Sequence, residues 1–383
     1  MKSDPGTSGQ GVVLLEAHRQ RIDEIDQRLV DLLAERQRVV EQIAELKKAE
    51  NLPIYHPARE ENLISQRRKQ GAEAGMDPDG VDELFRCILR QSRGKQSARL
   101  PRRSVRPGAA VLVVGGRGAM GGYLARWFTD SGYEVRVLEP EDWERAAGLC
   151  AGIQLALVCV PIDETVPVVK RLAPMLPPDC LLADVTSVKA SPLQAMLESH
   201  RGPVLGLHPL FGPTCSTMDK QMVVYIPGRD PAAAQWLLDQ FAAWGNILLR
   251  AEAREHDDIM NVVQALRHFA TFVFGRFLLR NDFNLTRTLE FSSPIYRLEM
   301  GMVGRFFAQD PRLYAEIVFA SEPRRELLAE FMRFWQEHAN MLARADKESF
   351  MEEFRKVAAW FGPFSGQAMR ESTFLMDKYV ERF

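Results

Sequence analysis

The 383-residue sequence lacks the features of several protein classes. Its few cysteines are Cys87, Cys150, Cys159, Cys180 and Cys215. Their odd number and the absence of C-x-x-C spacing argue against a disulfide framework or a zinc site, so we expect no metal and a reducing, cytoplasmic environment. No uninterrupted apolar run reaches the ~18 residues of a membrane-spanning helix, and residues 1–11 contain no apolar signal-peptide core. A net charge of −2 gives no overall attraction to nucleic acid or membrane.

Glycine and proline are both absent from Val12 to Leu52, a stretch of 41 residues. Its apolar residues follow a heptad, with Leu15, Ile22, Leu29 and Ile43 on one position and Ile25, Leu32, Val39 and Leu46 on the other. This pattern predicts one helix about 60 Å long at ~1.5 Å per residue, ended by Pro53 and Pro57. Because one small domain cannot cover such a helix, we expect a second copy of the chain to pack against it.

Two further helices are predicted before the composition changes, the second from Ala58 to about Gln70 and the third from Val81, with a loop from Gly71 to Gly80 between them. The segment from Ser92 to Pro107 then carries six basic residues and no acid. We interpret it as a solvated linker between domains, and the alternative is a basic patch for an anionic partner.

The middle of the chain alternates apolar runs with helical segments, which is typical of a parallel sheet. The predicted strands are Ala109–Val114, Glu134–Leu138, Leu155–Val160 and Leu181–Val185. After about Asp230 the pattern is mostly helical, near 255–279, 295–307, 312–343 and 347–360, with only a short tail after Phe361. The expected organisation is a helical domain (11–97), a linker (98–108), a Rossmann-like domain (109–230) and a C-terminal helical domain (231–383).

A glycine-rich loop follows the first predicted strand. Gly116, Gly118 and Gly121 form G-x-G-x-x-G, with Met120 inside it, between an apolar strand and an amphipathic helix. Backbone N–H groups at the start of such a helix face a pyrophosphate. Glu139, at the end of the second strand, is placed to accept from ribose hydroxyls and to repel a 2′-phosphate, which favours NAD over NADP. The alternatives are an ordinary glycine-rich turn and a plain strand-end acid.

Polar residues in apolar surroundings mark further candidates. His208 lies in L-G-L-H-P-L-F-G-P, where Pro209 favours extended backbone, and a neutral imidazole is the usual base near pH 7. His268 and Arg297 lie among apolar neighbours in helical segments, and Arg36 occupies a heptad position, with Lys47 on the same side of the helix. Each has a structural alternative: a buried hydrogen-bonded histidine, a polar helix–helix contact, or an Arg–Glu pair.

Several of these segments together resemble a known family. G-G-x-G-x-M-G, S-V-K at 187–189, L-G-L-H-P-x-F-G-P at 205–213, Q-A-L-R-H-F-A-T-F at 264–272 and S-S-P-I-Y-R-L-E at 292–299 resemble prephenate dehydrogenase. The N-terminal helices resemble an all-helical chorismate mutase. The joined order is similar to the bifunctional chorismate mutase–prephenate dehydrogenase family of tyrosine biosynthesis, which implies chorismate and prephenate as substrates, a homodimer with intertwined N-terminal helices, and possible feedback inhibition by tyrosine.

For the dehydrogenase, the resemblance implies that hydride passes from C4 of prephenate to NAD⁺ with loss of CO2. His208 is then the base at the C4 hydroxyl, and Ser187 meets the same hydroxyl. Lys189 supplies electrostatic support, His268 belongs to the substrate pocket, and Arg297 grips a carboxylate, for which a guanidinium fork is suited. Thr214 stands where some relatives carry a glutamate.

For the mutase, the rearrangement needs a compact pose of the dianion and charge stabilisation at the breaking ether. The residues that match family positions are the carboxylate-binding Arg36 and Arg59, the partner-donated Arg19, the ether-binding Lys47 and Gln96, and Glu60 and Ser92 at the substrate hydroxyl and carboxylate. His56 departs from the aspartate of some relatives.

Two other functions remain as alternatives to this expectation. One is a different NAD-dependent dehydrogenase with a degenerate mutase head. The other is a regulatory protein that dimerises through its long helix and binds nucleic acid through the basic linker, which near-zero net charge and the lack of interleaved aromatic residues disfavour.

Overall fold

The structure, a computed structural model, describes the backbone of residues 9–50, 57–99, 103–215 and 217–381. Side chains are described for 14–46 and 59–95 and throughout the last two ranges. Three helices form the N-terminal part: α1 (Gly9–Glu50), α2 (Pro57–Glu73) and α3 (Pro78–Arg99). The long first helix is thus confirmed.

The loop expected from Gly71 to Gly80 is shorter than predicted, because α2 continues through Gly71 and α3 begins at Pro78. Gly71 is buried, and a Cβ there would lie 2.6 Å from the Val81 side chain. This glycine therefore allows the two helices to approach closely and does not end the first of them.

The heptad residues of α1 are left uncovered by the chain itself. Leu15, Ile22 and Leu29 are 51%, 56% and 52% exposed. Val40 and Ala44, which are the buried apolar residues among the described side chains of α1, lie in its C-terminal half. An apolar stripe of this length is typical of a helix that packs against another subunit.

A seven-stranded sheet forms the centre of the molecule, in the order β2-β1-β3-β4-β5-β6-β7. Its strands are β1 (Ala110–Val114), β2 (Glu134–Leu138), β3 (Leu155–Val158), β4 (Leu181–Asp184), β5 (Val204–Pro209), β6 (Met222–Pro227) and β7 (Ile247–Arg250). All neighbouring pairs are parallel except β5 and β6. Helices α4 (Ala119–Asp130), α5 (Ala146–Cys150), α6 (Ile162–Leu172), α7 (Ala190–Ser199) and α8 (Pro231–Ala243) accompany it. An apolar core lies on each face.

The sheet extends further along the chain than the sequence suggested. β7 pairs with β6, so the sheet continues to Arg250 and past residue 230, where the domain boundary was expected. β7 is a short edge strand in which Ile247 and Leu249 are about half exposed. β5, β6 and β7 were all absent from the four predicted strands, because short apolar runs such as 247–249 do not distinguish a strand from a helix segment.

The C-terminal part is helical, as predicted. Its helices are α9 (Ala253–Met260), α10 (Arg267–Arg280), α11 (Leu285–Glu290), α12 (Pro294–Phe307), α13 (Pro311–Phe319), α14 (Glu322–Ala343), α15 (Lys347–Phe361) and α16 (Pro363–Val380). A π-helical turn, Asn261–Leu266, joins α9 to α10. The helix expected over 312–343 is broken at Ser321, which caps α14. The expected short tail is wrong, because it forms the 18-residue helix α16.

Among the described residues, one continuous helical stretch, Ala253–Arg280, is long and apolar enough to cross a membrane, and a core helix of a soluble protein passes the same test. Three of its polar side chains, those of His256, Asp257 and Gln264, contact the sheet domain. We therefore describe it as a helix that joins the two domains.

Candidate functional site

The glycine loop lies between β1 and α4, at the carboxyl edge of the parallel strands. A Cβ on Gly121 would collide with the carbonyl oxygen of Gly115, which itself has a φ of +79°. Glu139 accepts a hydrogen bond of 2.6 Å from the backbone N–H of Arg117, so its carboxylate is fixed beside the loop. Met120 packs against the core. Close backbone approach and a carboxylate at the end of β2 fit a dinucleotide with a free ribose 2′-hydroxyl.

His208 occupies β5, where it is buried, and its extended backbone is confirmed. Its Nδ1 lies 2.8 Å from Nε2 of His256, and Nδ1 of His256 lies 2.8 Å from Oδ1 of Asp257. On the other side of the ring, the amide nitrogen of Gln264 is 3.4 Å from Nε2 of His208. The three C-terminal residues thus surround a histidine contributed by the sheet.

This hydrogen-bond chain assigns the tautomers. Asp257 can only accept, so Nδ1 of His256 donates and its Nε2 accepts. Nδ1 of His208 then donates to His256, which leaves Nε2 of His208 with its lone pair. That atom is able to accept a proton or a hydrogen bond.

Burial lowers the pKa of His208 well below its ordinary range, and the nearby His256, Lys189 and Arg324 lower it further. The imidazole is therefore neutral near pH 7, as a base must be. Lys189 has no exposed side-chain surface and pairs with Asp184, and its ammonium also donates to the carbonyl of Leu207 at 2.7 Å. Burial lowers the pKa of Lys189, although Asp184 opposes the effect.

Asp257 also links the two domains. Its oxygens accept from the backbone N–H groups of Lys189 and Ala190 at 2.8 and 2.9 Å, at the start of α7. Burial by itself raises the pKa of Asp257, but hydrogen bonds from His256 and these N–H groups lower it below its usual value. Asp257 is therefore ionised and holds both His256 and α7.

Ser187 follows β4 within the loop that leads to α7, and it is half-buried. β4 pairs with β5 so that Asp184 lies beside Gly206. Ser187, just after β4, and His208, near the end of β5, consequently lie at the same edge of the sheet. Thr214, in the loop after β5, is exposed.

His268 lies on α10, one turn beyond Gln264. Its ring stands edge-on to Tyr314 with the centroids 4.9 Å apart. Burial and the neighbouring Arg267 lower the pKa of His268 to about 4. Its Nδ1 and Oε1 of Gln264 are buried, without a hydrogen-bond partner among the described residues, as is expected of atoms that a ligand or water satisfies.

Arg297 is the arginine that the resemblance places at a substrate carboxylate. Arg297 is half-buried and donates to the carbonyl of Leu289 at 2.7 Å. Arg305, two turns further along α12, is exposed. Burial raises the pKa of Tyr314, and Arg305 and Arg267 oppose this effect, so both guanidinium groups are within electrostatic range of the Tyr314–His268 pair.

In the helical domain, Arg36 donates to the hydroxyl of Ser92 at 2.6 Å, and this hydroxyl donates to the carbonyl of Ile88. Burial lowers the pKa of Arg36. No ion pair to Arg36 occurs within the described residues, so the Arg–Glu pair that was the structural alternative is not the arrangement there. Glu60 accepts from Arg93 at 2.5 Å.

The other residues expected at the mutase site are exposed or have side chains outside the described residues. Arg59 is exposed, and Arg19 is an exposed residue of α1 that lies 3.6 Å from Glu16. The backbones of Lys47 and Gln96 belong to α1 and α3, which makes Gln96 helical as expected. The side chains of both, and all of His56, lie outside the described residues.

Sequence reasoning missed several residues of the His208 site, namely His256, Asp257, Gln264, Arg267, Arg305, Tyr314 and Arg324. His256 and Asp257 lie in a polar helical run that resembles a solvated surface. The one available signal was Gln264, which stands at helical spacing before His268.

Family models cover most of the chain. Residues 18–97 match chorismate mutase type II, residues 143–238 match the nucleotide-binding domain of prephenate dehydrogenase, and residues 252–356 match its dimerization domain. The mutase and dehydrogenase resemblances are therefore confirmed by three separate segments in the expected order.

Two relatives match over nearly their full length. The T-protein of Enterobacter agglomerans is 42% identical, over 95% of this chain and 98% of the relative. The T-protein of Haemophilus influenzae is 39% identical, over 94% and 96%. A crystal structure of prephenate dehydrogenase from Aquifex aeolicus with hydroxyphenyl propionate and NAD⁺ has a TM-score of 0.54 at 17% identity, over 66% of this chain and 97% of that one, which supports the fold. The chain belongs to the T-protein family, the bifunctional enzymes that join chorismate mutase to NAD-dependent prephenate dehydrogenase.

Proposed function

We propose that the two activities of this chain are carried by two separate sites, one around Arg36 in the helical domain and one around His208 at the edge of the sheet. The observation that carries the second assignment is the hydrogen-bond chain from Asp257 through His256 to His208. It supports a neutral His208 whose Nε2 accepts the proton of the C4 hydroxyl of prephenate.

NAD⁺ is the cofactor and accepts the hydride from C4 when it is bound. The glycine loop at Gly116, Gly118 and Gly121 would hold its pyrophosphate, and Glu139 would hold the ribose hydroxyls. His208 withdraws the hydroxyl proton as the hydride leaves and CO2 departs, and aromatisation drives the step. Ser187 orients the same hydroxyl. Lys189 helps to keep His208 neutral, because its positive charge lowers the pKa of the imidazole.

The carboxylates of prephenate need cations beside His268. Arg297 is our sequence-based candidate, although it already donates to a backbone carbonyl. We add Arg305 and Arg267, whose positions near Tyr314 and His268 support contact with an anionic substrate. A few arginines at the substrate site would allow a chain without net positive charge to bind the two carboxylates of prephenate.

At the mutase site, Arg36 is a partly buried cation with a neutral partner, which suits it to receive a carboxylate of chorismate. Ser92 and Glu60 are the neighbouring polar groups, and we assign Arg59, Lys47 and Gln96 to the same site by resemblance. Arg19 lies toward the N-terminal end of α1, in keeping with donation to the partner's site.

We further propose a homodimer. The matched C-terminal segment is a dimerization domain, and α1 exposes its heptad residues. The five cysteines are free thiols, which supports a cytoplasmic location. Tyrosine shares the 4-hydroxyphenyl ring of the reaction product, and this supports competition at the His208 site.

The purified protein tests the assignment directly. With chorismate and NAD⁺ together we expect NADH and 4-hydroxyphenylpyruvate, whereas chorismate alone should stop at prephenate. Prephenate with NAD⁺ isolates the second reaction. Failure to form NADH from prephenate would contradict the dehydrogenase assignment, and unchanged chorismate would contradict that of the mutase.

A further inference from the structure

One arginine connects the helical domain to the sheet domain. Arg93, on α3, donates to Glu60 on α2 at 2.5 Å and, through Nε, to Asp219 at 2.9 Å. The three side chains are 15%, 18% and 21% exposed, so these ion pairs are largely shielded from water. Removing one partner of such a pair costs more than removing one of an exposed pair, because the other charge is left shielded from water and unpaired. Arg93 comes from the basic segment that we expected to be a solvated linker.

Asp219 is a fixed point of the sheet domain. It lies between β5 and β6, on the loop that follows His208. Its backbone N–H donates to the hydroxyl of Thr217 at 3.1 Å, and the N–H of Lys220 donates to the carbonyl of Gly245 at 2.8 Å. The amide of Asn246 donates to the carbonyls on either side, those of Met218 and Gln221.

The other end of the bridge lies in the proposed mutase site. Arg93 follows Ser92 on the same turn of α3, so adjacent residues contact Arg36 and Glu60, respectively. Arg93 binds Oε2 of Glu60, which leaves Oε1 for a substrate hydroxyl. The carboxylate of Glu60, which we propose binds chorismate, is thus held by the guanidinium of Arg93. This guanidinium also binds Asp219 of the dehydrogenase domain.

We propose that Arg93 is a positioning residue of the mutase, and that Asp219 of the dehydrogenase domain supplies its anchor. The inference rests on the proposed role of Glu60 in binding chorismate. A guanidinium donates in two directions at a fixed angle, which a single ammonium cannot reproduce. The mutase site is therefore complete only when the two domains are in contact.

The diagnostic experiment changes the dehydrogenase domain and measures the mutase. Asp219→Asn in the full-length protein should raise the KM for chorismate about 3- to 5-fold with kcat nearly unchanged, as expected for loss of a partly shielded ion pair. Arg93→Met should raise it about 10-fold, and Arg93→Lys should fall between wild type and Arg93→Met. The double variant should be no worse than Arg93→Met alone, because both changes break one bridge.

Two matched variants serve as controls. Arg86→Met removes an arginine of α3 that pairs with Asp82 and Glu61 inside the helical domain. Asp239→Asn removes an acid of α8 that accepts from Gln235. Both should keep the wild-type KM for chorismate, and prephenate oxidation should show that every variant is folded.

An unchanged KM in Asp219→Asn overturns the inference, as does additivity in the double variant. A fall of kcat with KM unchanged also overturns it. Failure of the proposed function looks different: the wild type would then lack mutase activity, or Glu60→Gln would retain it in full.

Discussion

His256 lies directly behind His208, with its Nε2 2.8 Å from Nδ1 of that ring. The contact joins a strand of the sheet domain to the first helix of the C-terminal part. Since Asp257 fixes the tautomer of His256, the accepting atom of His208 is determined by a carboxylate two residues away in the hydrogen-bond chain. The geometry of proton transfer therefore depends on how the two domains pack.

Removing the base should separate the two activities. His208→Asn should lower the kcat for prephenate oxidation by about 10²- to 10⁴-fold, the usual contribution of a positioned base. Chorismate rearrangement, assayed in the same preparation, should be unaffected because we assign the two reactions to separate sites. An equal loss of both activities would indicate misfolding instead of loss of the base.

Replacing Asp257, whose carboxylate binds His256, should lower kcat measurably but less than replacing the base His208. Asp257→Asn leaves the geometry nearly intact and removes the charge that fixes His256. We therefore expect kcat to fall on the order of 10- to 100-fold, a smaller loss than that expected for His208→Asn. Asp258→Asn, at the exposed neighbouring position, is the control. If Asp257→Asn matched wild type, His256 would not determine the tautomer of His208.

Much of the fold could be predicted because contiguous patterns of apolar residues indicate its helices and strands. The buried apolar runs of β1, β3 and β4, the half-buried strand β2 and the heptads of α1 each lie in one contiguous segment. β5, β6 and β7 were not predicted, because apolar runs as short as theirs do not distinguish a strand from a buried helix segment. α16 was not predicted either, and its described side chains are mostly exposed. Packing of α16 depends on contacts with residues distant in the sequence, which a local sequence pattern does not show.

The site divides in the same way. The glycine loop and His208 lie in sequence motifs that could be identified. His256 could not be identified, because its contact is with His208, 48 residues earlier in the chain. Arg93 was interpreted as a linker residue since its partner Asp219 is 126 residues further along the chain. Long-range ion pairs and hydrogen bonds have no spacing rule, so only the folded chain reveals them.

Arg36 should be needed by the mutase alone. Arg36→Ala removes a partly buried cation from the proposed carboxylate site, and kcat/KM for chorismate should drop about 10²- to 10³-fold, the typical loss for one electrostatic donor. Prephenate oxidation should remain. Arg38→Ala, at an exposed position of α1, should have little effect on either reaction. Retained mutase activity in Arg36→Ala would remove this residue from the site.

Glu139 should control the choice between the two nicotinamide cofactors. Glu139→Ser keeps a residue able to cap the following turn but removes the charge that repels a 2′-phosphate. The ratio of kcat/KM for NAD⁺ to that for NADP⁺ should fall about 10-fold or more. Glu141→Ser, which removes a surface pair with Arg117, should leave the ratio unchanged. A constant ratio in Glu139→Ser would place the ribose elsewhere.

His268 should make folding stability depend on pH in one direction. Its pKa is about 4 in the folded protein, below the ordinary value near 6.5, because burial and Arg267 disfavour the charged ring. Above pH 6.5 the ring is neutral in both states and contributes no pH dependence. As pH falls from 6.5 toward 4, the unfolded chain binds the proton first, so stability decreases until the folded ring is also protonated.

The variant His268→Phe isolates this contribution, since it keeps an aromatic ring against Tyr314 and cannot titrate. Urea unfolding of both proteins at several pH values should show wild type losing stability relative to the variant between pH 6.5 and 4, with no further divergence below pH 4. A constant difference across that range would mean that His268 is solvated in the folded protein. Prephenate oxidation by the variant at pH 7 should separately show a raised KM, because the variant lacks the ring nitrogen that we propose meets the substrate.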